Sequence, residues 1–200
     1  MARVSADERR QDLVAAAIRV LARDGVAKAS TRAIVAEAAM PLGFFHYCFR
    51  SKQELFMQVI GTINERNRRA AIDAVRPHRS LPDTLRESLR AYWRLVEENP
   101  GEHQITYELT QYALRDPELA EVARKQYEGY LEAAIDFLEV AAAAARMEWT
   151  VPLRVLARSL RNMLDGVTLA WIVDRDNGEA TAVLDHFAVQ LAASARRTTD

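Results

Sequence analysis

Six residues between positions 30 and 52 have the chemistry to hold a phosphate. Ser30 and Thr31 carry hydroxyls, Tyr47 a phenol, and Arg32, Arg50 and Lys52 positive charge. Nucleic-acid backbones are gripped by this mixture of cations, hydroxyls and helix termini, which fixes register before any base is read. Lys52 follows Ser51 at the start of an apolar-periodic run, where unpaired helix N–H groups already favour an anion.

These residues need short, rigid elements to present them. Residues 30–50 read as two short helices separated by about three residues near Ala39-Met40-Pro41, which is helix-turn-helix spacing. The second would run from Pro41 to Phe49. Phe45 and Phe49 are four apart and share its inner face, leaving Phe44, His46, Tyr47 and Cys48 nearer the outside. A short helix whose aromatic face is simply core is the alternative. Ser5 with Glu8 and Ser51 with Glu54 have capping-box spacing. Gly25 ends the first helix, and the helix after Ser51 runs towards Pro77.

The pattern stays helical to the end. Ser80 precedes a stripe of Leu85, Leu89, Tyr92 and Val96 that stops at Asn99-Pro100-Gly101, and a helix follows over about residues 102–115. Asp116-Pro117 reads as an N-cap, opening a helix with Leu119, Val122, Tyr130 and Phe137. Thr150-Val151-Pro152 starts another, Asp176-Asn177-Gly178 is a turn, and Leu184, Phe187 and Leu191 mark the last helix. About nine helices and no period-2 strand give an all-α chain.

Thr31-Arg32-Ala33-Ile34-Val35-Ala36-Glu37-Ala38-Ala39, followed by Gly43-Phe44-Phe45-His46-Tyr47-Cys48-Phe49-Arg50-Ser51-Lys52-Gln53-Glu54-Leu55, resembles the DNA-binding signature of TetR-type transcriptional regulators. The likeness covers about residues 8–60. It implies a helix-turn-helix DNA-binding domain over 1–52 and a helical ligand-binding and dimerisation domain over 53–200. The implied function is that of a homodimeric repressor released by a small-molecule effector. The implied contacts with a palindromic double-stranded operator are Ser30, Thr31, Arg32, Pro41, Leu42, Gly43, Phe44, His46, Tyr47 and Lys52. The chain departs from the pattern at the turn, where Ala39 replaces Gly and Met40-Pro41 replaces Val-Ser. His46 stands where a Tyr often touches phosphate, and Cys48 replaces an aromatic.

Charge is divided along the chain. Residues 1–79 hold 14 Lys/Arg against 8 Asp/Glu, and residues 80–200 hold 13 against 20, so a near-neutral total hides a basic head and an acidic remainder. That suits a polyanion at one end, with uneven surface charge as the plain alternative. One cysteine, Cys48, excludes an internal disulfide and points to an intracellular, cytoplasmic protein. It reads as a thiol packed by Phe45 and Phe49, with redox sensing as the other option. The start shows no secretory signal, and the longest strongly apolar stretch, Val167 to Val173, is far short of the roughly 20 residues that span a bilayer.

The remainder should hold a pocket and a dimer interface. Ligand candidates are Trp93, His103, Tyr107, Gln111, Tyr130, Phe137, Asn162, Asp165 and Trp171. Carboxylates close to aromatics in sequence, Glu108 by Tyr107 and Asp165 before Trp171, favour a cationic or weakly basic ligand. The long helix over 52–76 would carry the signal to the head. Leu153, Leu156, Leu160, Leu184, Phe187 and Leu191 supply an apolar face for a second copy. Common catalytic signatures are missing: no H-E-x-x-H, no G-x-S-x-G, no P-loop, no G-x-G-x-x-G, and no Glu three residues before His46, His78, His103 or His186. The chain therefore reads as a non-enzyme without cofactor or metal. A cofactor-free helical enzyme and a helical adaptor remain the alternatives.

Overall fold

Serine caps and chain breaks set the helix boundaries. The computed structural model describes residues 5–77, 79–115 and 120–198, with Val122 through its backbone only. In chain order the helices are α1 (Ala6–Asp24), α2 (Thr31–Glu37), α3 (Gly43–Cys48), α4 (Lys52–Asp73) and α5 (Leu81–Glu98). There follow α6 (Pro100–Arg115), α7 (Ala120–Ala145), strand β1 (Met147–Trp149), α8 (Leu153–Asp174), α9 (Asn177–Ala192) and strand β2 (Ala195–Arg197). The all-α class and the count of about nine helices expected from sequence are thus found, nine among the described residues. His78, the Asp116-Pro117 cap, Leu119 and the Val122 side chain lie outside the described residues, as does the start of the chain.

Ser5 opens α1 with a complete capping box. Its hydroxyl accepts from the Glu8 N–H at 3.1 Å, and the Glu8 carboxylate accepts from the Ser5 N–H at 2.6 Å. Ser30 and Ser80 cap α2 and α5 through the N–H groups of Ala33 and Asp83. The box expected at Ser51 and Glu54 is only half formed. Ser51 accepts from the Glu54 N–H at 3.1 Å, but the Glu54 carboxylate is claimed by the Arg50 N–H at 2.8 Å and by Arg10 at 2.7 Å. Asp176-Asn177-Gly178 is not a free turn. Asp176 is the N-cap of α9, accepting from the Glu179 N–H at 2.9 Å, so Asn177 and Gly178 are its first residues.

The described residues group into two compact units. One takes residues up to Ile63 together with Gly101–Gln126, the other Asn64–Pro100 together with residues from Tyr127 onward. In the first, α1, α2 and α3 pack on one another, and Leu13, Ala17, Leu21, Ile34, Phe45 and Phe49 are buried. The turn between α2 and α3 is a Schellman motif. The Ala39 N–H donates to Ala36 O at 3.0 Å and the Met40 N–H to Val35 O at 2.8 Å. This closure needs a left-handed residue, and Ala39 supplies it at φ 52°. A Cβ in that region costs about 1–2 kcal/mol. Ala39→Gly is therefore expected to stabilise the head by about 0.5–1 kcal/mol once glycine's extra chain entropy is subtracted. Urea unfolding of the two proteins side by side checks this, and an unchanged or lower midpoint would refute it.

In the second unit, α5 packs along α9 and α8 against α9. The core includes Leu85, Trp93, Leu138, Leu156, Leu160 and Leu184. This corrects the face assigned to a partner copy. Leu156, Leu160, Leu184 and Leu191 are buried within the protomer, and Leu153 and Phe187 pack against the same core. The exposed large apolar residues of these two helices are Val155, Leu169 and Val173, which share one side of α8, and Val183 and Val189 on α9. The strands are a second correction. β1 and β2 pair antiparallel, Glu148 opposite Arg196, with Arg196 Nε donating to the Glu148 carboxylate at 2.6 Å. Among the described residues no helix is long and apolar enough to cross a membrane.

Candidate functional site

The exposed surface of α2, α3 and the start of α4 carries the residues whose chemistry suits phosphate. Ser30 and Arg32 are exposed, and Thr31 is half-buried. Pro41, Leu42 and Gly43 are exposed at the entry to α3, which starts at Gly43 rather than at Pro41. A Cβ at Gly43 would meet nothing within 4 Å, so the backbone there is open to approach. Phe44 is half-buried, His46 exposed, and Tyr47 70% exposed although it sits on a helix whose other ring, Phe45, is 2% exposed. Nothing inside the protomer requires a tyrosine so exposed. Lys52 is the first residue of α4. Its ammonium lies 5.1 Å from the Phe56 ring, and partial burial pulls its pKa below the ordinary lysine value.

Two arginines on α1 fix α3 in place. Arg10 donates to the Cys48 carbonyl and to Glu54, and its guanidinium lies 4.3 Å from the Phe49 ring centre. Arg9 stacks on Phe44 at 4.8 Å. Lower on α1, Arg19 and Arg23 share the Glu37 carboxylate at 2.8 and 3.0 Å, tying α2 down. These charge-assisted bonds hold the Glu37 and Glu54 carboxyls below the usual carboxylate range. The sequence reading missed Arg9, Arg10, Glu37 and this use of Glu54, since their partners lie up to 44 positions away. Cys48, the last residue of α3, is buried, as its reading as a packed thiol expected and against its helical-wheel position nearer the outside. Burial pushes its thiol up, away from the thiolate that redox chemistry requires.

Glu108 on α6 makes a further tie within this unit. Its carboxylate accepts from the Val26 N–H at 2.8 Å, beside Gly25 at φ 77°, where a Cβ would stand 3.2 Å from Glu108 Oε2. Only glycine fits that corner without strain.

The residues expected around a ligand are divided between the two units. His103, Tyr107 and Gln111 lie on α6 in the first unit, with Gln111 exposed. Trp93 and Trp171 are buried in the second unit's core, edge to face at 5.5 Å. Asn162 is exposed, and Asp165 is paired with Arg161 at 3.1 Å, its carboxyl pushed up by burial against that cation's pull. Tyr130 and Phe137 line one cavity, which lies wholly in the second unit, and Trp171 lines another between α8 and α9.

The cavity beside Tyr130 and Phe137 has roughly 500 Å³ of free space, its open mouth included. Helix α4 contributes Asn64, Asn67, Arg68 and Ala71, and α5 contributes Leu89 and Tyr92. Helix α7 adds Tyr130, Ala133, Ala134 and Phe137, and α8 adds Leu160, Arg161 and Leu164. Only about 60 Å³ of that free space is enclosed, and its apolar wall with a few polar groups is the lining typical of a small-molecule site. One sequence signal did point here. Val59, Ile63, Asn67 and Ala71 recur every four residues, which puts a carboxamide on the buried stripe of α4.

Residues 13–59 match the family model described as bacterial regulatory proteins, tetR family, and residues 82–194 match that of the BetI-type transcriptional repressor C-terminal region. The HTH-type nicotine-responsive transcriptional repressor HdnoR of Paenarthrobacter nicotinovorans is 32% identical over 172 residues, spanning 86% of this chain and 88% of that protein. The crystal structure of the multidrug binding protein EbrR complexed with imidazole aligns with TM-score 0.65 at 28% identity, over 92% of this chain and 94% of that one. GusR of Salmonella enterica shares the fold at TM-score 0.71 and 21% identity, over 92% and 95% of the two chains.

Proposed function

Because the chain belongs to the TetR family of bacterial regulatory proteins, we propose that it represses transcription as a homodimer and lets go of its operator when a small effector binds. It is a DNA-binding transcriptional regulator, and its family is one of regulators rather than enzymes. Residues 1–52 form the DNA-binding domain and residues 53–200 the effector and dimerisation domain. Each protomer sets α3 into the major groove of one half of a palindrome. Ser30, Thr31 and Lys52 hold the backbone, and Arg32, Leu42, Phe44, His46 and Tyr47 face the groove. Pro41 and Gly43 let the chain approach closely. The observation that carries this reading is Tyr47, exposed on a six-residue helix whose inner ring is fully buried.

The effector site is the cavity beside Asn67. Helix α4 runs unbroken from Lys52 to Asp73, so one helix carries both Lys52 and the cavity residues Asn64 to Ala71. A ligand that fits one arrangement of α4 better than another shifts the balance between DNA-competent and released states by that difference in affinity. The response of HdnoR to nicotine supports small-molecule control without fixing the ligand here. The protein acts in the cytoplasm, where its operator is.

Two substitutions separate the roles. Lys52→Ala is expected to weaken binding to all DNA alike and to lower the salt slope by about one unit. Arg32→Ala is expected to relax discrimination at one base pair by about 1–3 kcal/mol. Fluorescence anisotropy on operator and scrambled duplexes at several salt concentrations reads both. Parent-like binding by both variants would refute the interface.

A further inference from the structure

We propose that the cavity accepts a small, uncharged aromatic molecule that donates one hydrogen bond to Asn67 Oδ1. The proposal rests on the reading of this cavity as the effector site and gives the effector a chemical class.

Three observations carry it. The walls are apolar and ring-rich: Leu89, Tyr92, Tyr130, Phe137, Leu160 and Leu164. Flat aromatic molecules fill such walls with favourable edge and face contacts. Next, Asn67 is 91% buried, being 9% exposed, and its Oδ1 accepts from no donor among the described residues. A buried acceptor without a donor is costly, and Oδ1 is closed off from the cavity's solvent, so a ligand N–H or O–H that draws the Asn67 amide towards the cavity gains more there than in water. Neighbouring Asn64 is differently placed, since its amide already donates to Gly129 O at 3.1 Å.

The third observation is charge. The cavity lining includes two guanidiniums, Arg68 and Arg161, and no carboxylate. Both are already engaged. Arg68 is bound by Glu65 at 2.8 and 3.0 Å and faces Asp136 at 3.6 Å. Arg161 is paired with Asp165 and lies 3.8 Å from the Tyr130 ring centre. A cationic ligand would meet like charge with no free carboxylate. An anionic ligand would have to displace existing ion pairs to be neutralised. A neutral ligand pays neither cost. This reverses the preference for a cation drawn from sequence neighbours, because no carboxylate lines the cavity and Asp165 is spent on Arg161.

Isothermal titration calorimetry of the full chain tests the class with four probes of one ring system: 2-naphthol, 2-methoxynaphthalene, 2-naphthoate and 2-naphthylmethylammonium. The expected order puts 2-naphthol first. Asn67→Leu keeps the volume and removes the acceptor, and is expected to weaken 2-naphthol about 3- to 10-fold, to the level of 2-methoxynaphthalene. Ala134→Trp fills the cavity and should abolish binding of both, which keeps the test decisive if Asn67→Leu folds poorly. No binding by 2-naphthol, tighter binding by either charged probe, or equal 2-naphthol affinity in Asn67→Leu would overturn the proposal. Operator release is read separately by anisotropy. Asn67-dependent binding of 2-naphthol that leaves operator affinity unchanged upholds the ligand class and refutes the effector reading. Operator release by 2-naphthylmethylammonium, lost in Ala134→Trp, upholds the effector reading and refutes the class.

Discussion

Phe45→Ala is expected to unfold the head and abolish operator binding while leaving the second unit folded. Phe45 is 2% exposed and lies 5.8 Å, ring centre to ring centre, from Phe49. Deleting a buried phenylalanine costs about 3–5 kcal/mol, through lost burial and the cavity left behind. That is a large share of the 5–15 kcal/mol typical of a whole domain, and α3 has only six residues with no side-chain cap to hold it otherwise. Hydrogen exchange should show protection lost in α1 to α3 and kept in α8 and α9. Protected α3 amides in the variant would contradict the packing described.

Dimerisation is expected to fail in a Leu169→Asp, Val173→Asp double variant. Leu169 is 53% exposed and Val173 80% exposed, on the same side of α8 as Val155. Gly166 and Ala170 beside them are exposed and small, so a second helix can come close. An isologous two-fold contact repeats each substitution, so four carboxylates would be buried without partners. Unpaired buried charge of this kind costs about 3 kcal/mol or more, which weakens association at least ~100-fold. Sedimentation velocity at micromolar concentration should find the parent dimeric and the variant monomeric, with operator affinity lost alongside. A dimeric double variant would move the interface to another face. Phe187→Glu, the substitution suggested by sequence alone, would instead disturb the protomer core that Phe187 packs against.

Local signals were legible wherever the partner is near in sequence. The caps at Ser5, Ser30 and Ser80 follow from residue type and a three-residue offset, and the turn at Ala39 from its position between two apolar runs. Signals failed where distant residues meet. Met147-Glu148-Trp149 and Ala195-Arg196-Arg197 are too short to show alternation, and only their pairing makes them strands. Periodicity found the Leu153, Leu156 and Leu160 face of α8 but not that it packs into the protomer's own core, because that depends on the helices packed against it. The ligand candidates were chosen by residue type, whereas the cavity is defined by where α4, α5, α7 and α8 converge. Asn67 was passed over because an asparagine on a polar-rich helix reads as solvent-facing until its neighbours Ile63 and Ala71 are placed.

The central claim is that α3 presents an outward face to DNA. Operator affinity and thermal stability of Tyr47→Ala, measured side by side on a palindromic operator duplex selected with the parent protein, test it most directly. Tyr47 is largely exposed and, among the described residues, its ring meets only Phe44, at 6.5 Å edge to face, so its removal should leave the melting temperature nearly unchanged. The account predicts a loss of about 1–3 kcal/mol in specific binding, with non-specific binding and stability preserved. Parent-like affinity for the operator in a folded Tyr47→Ala protein would contradict it.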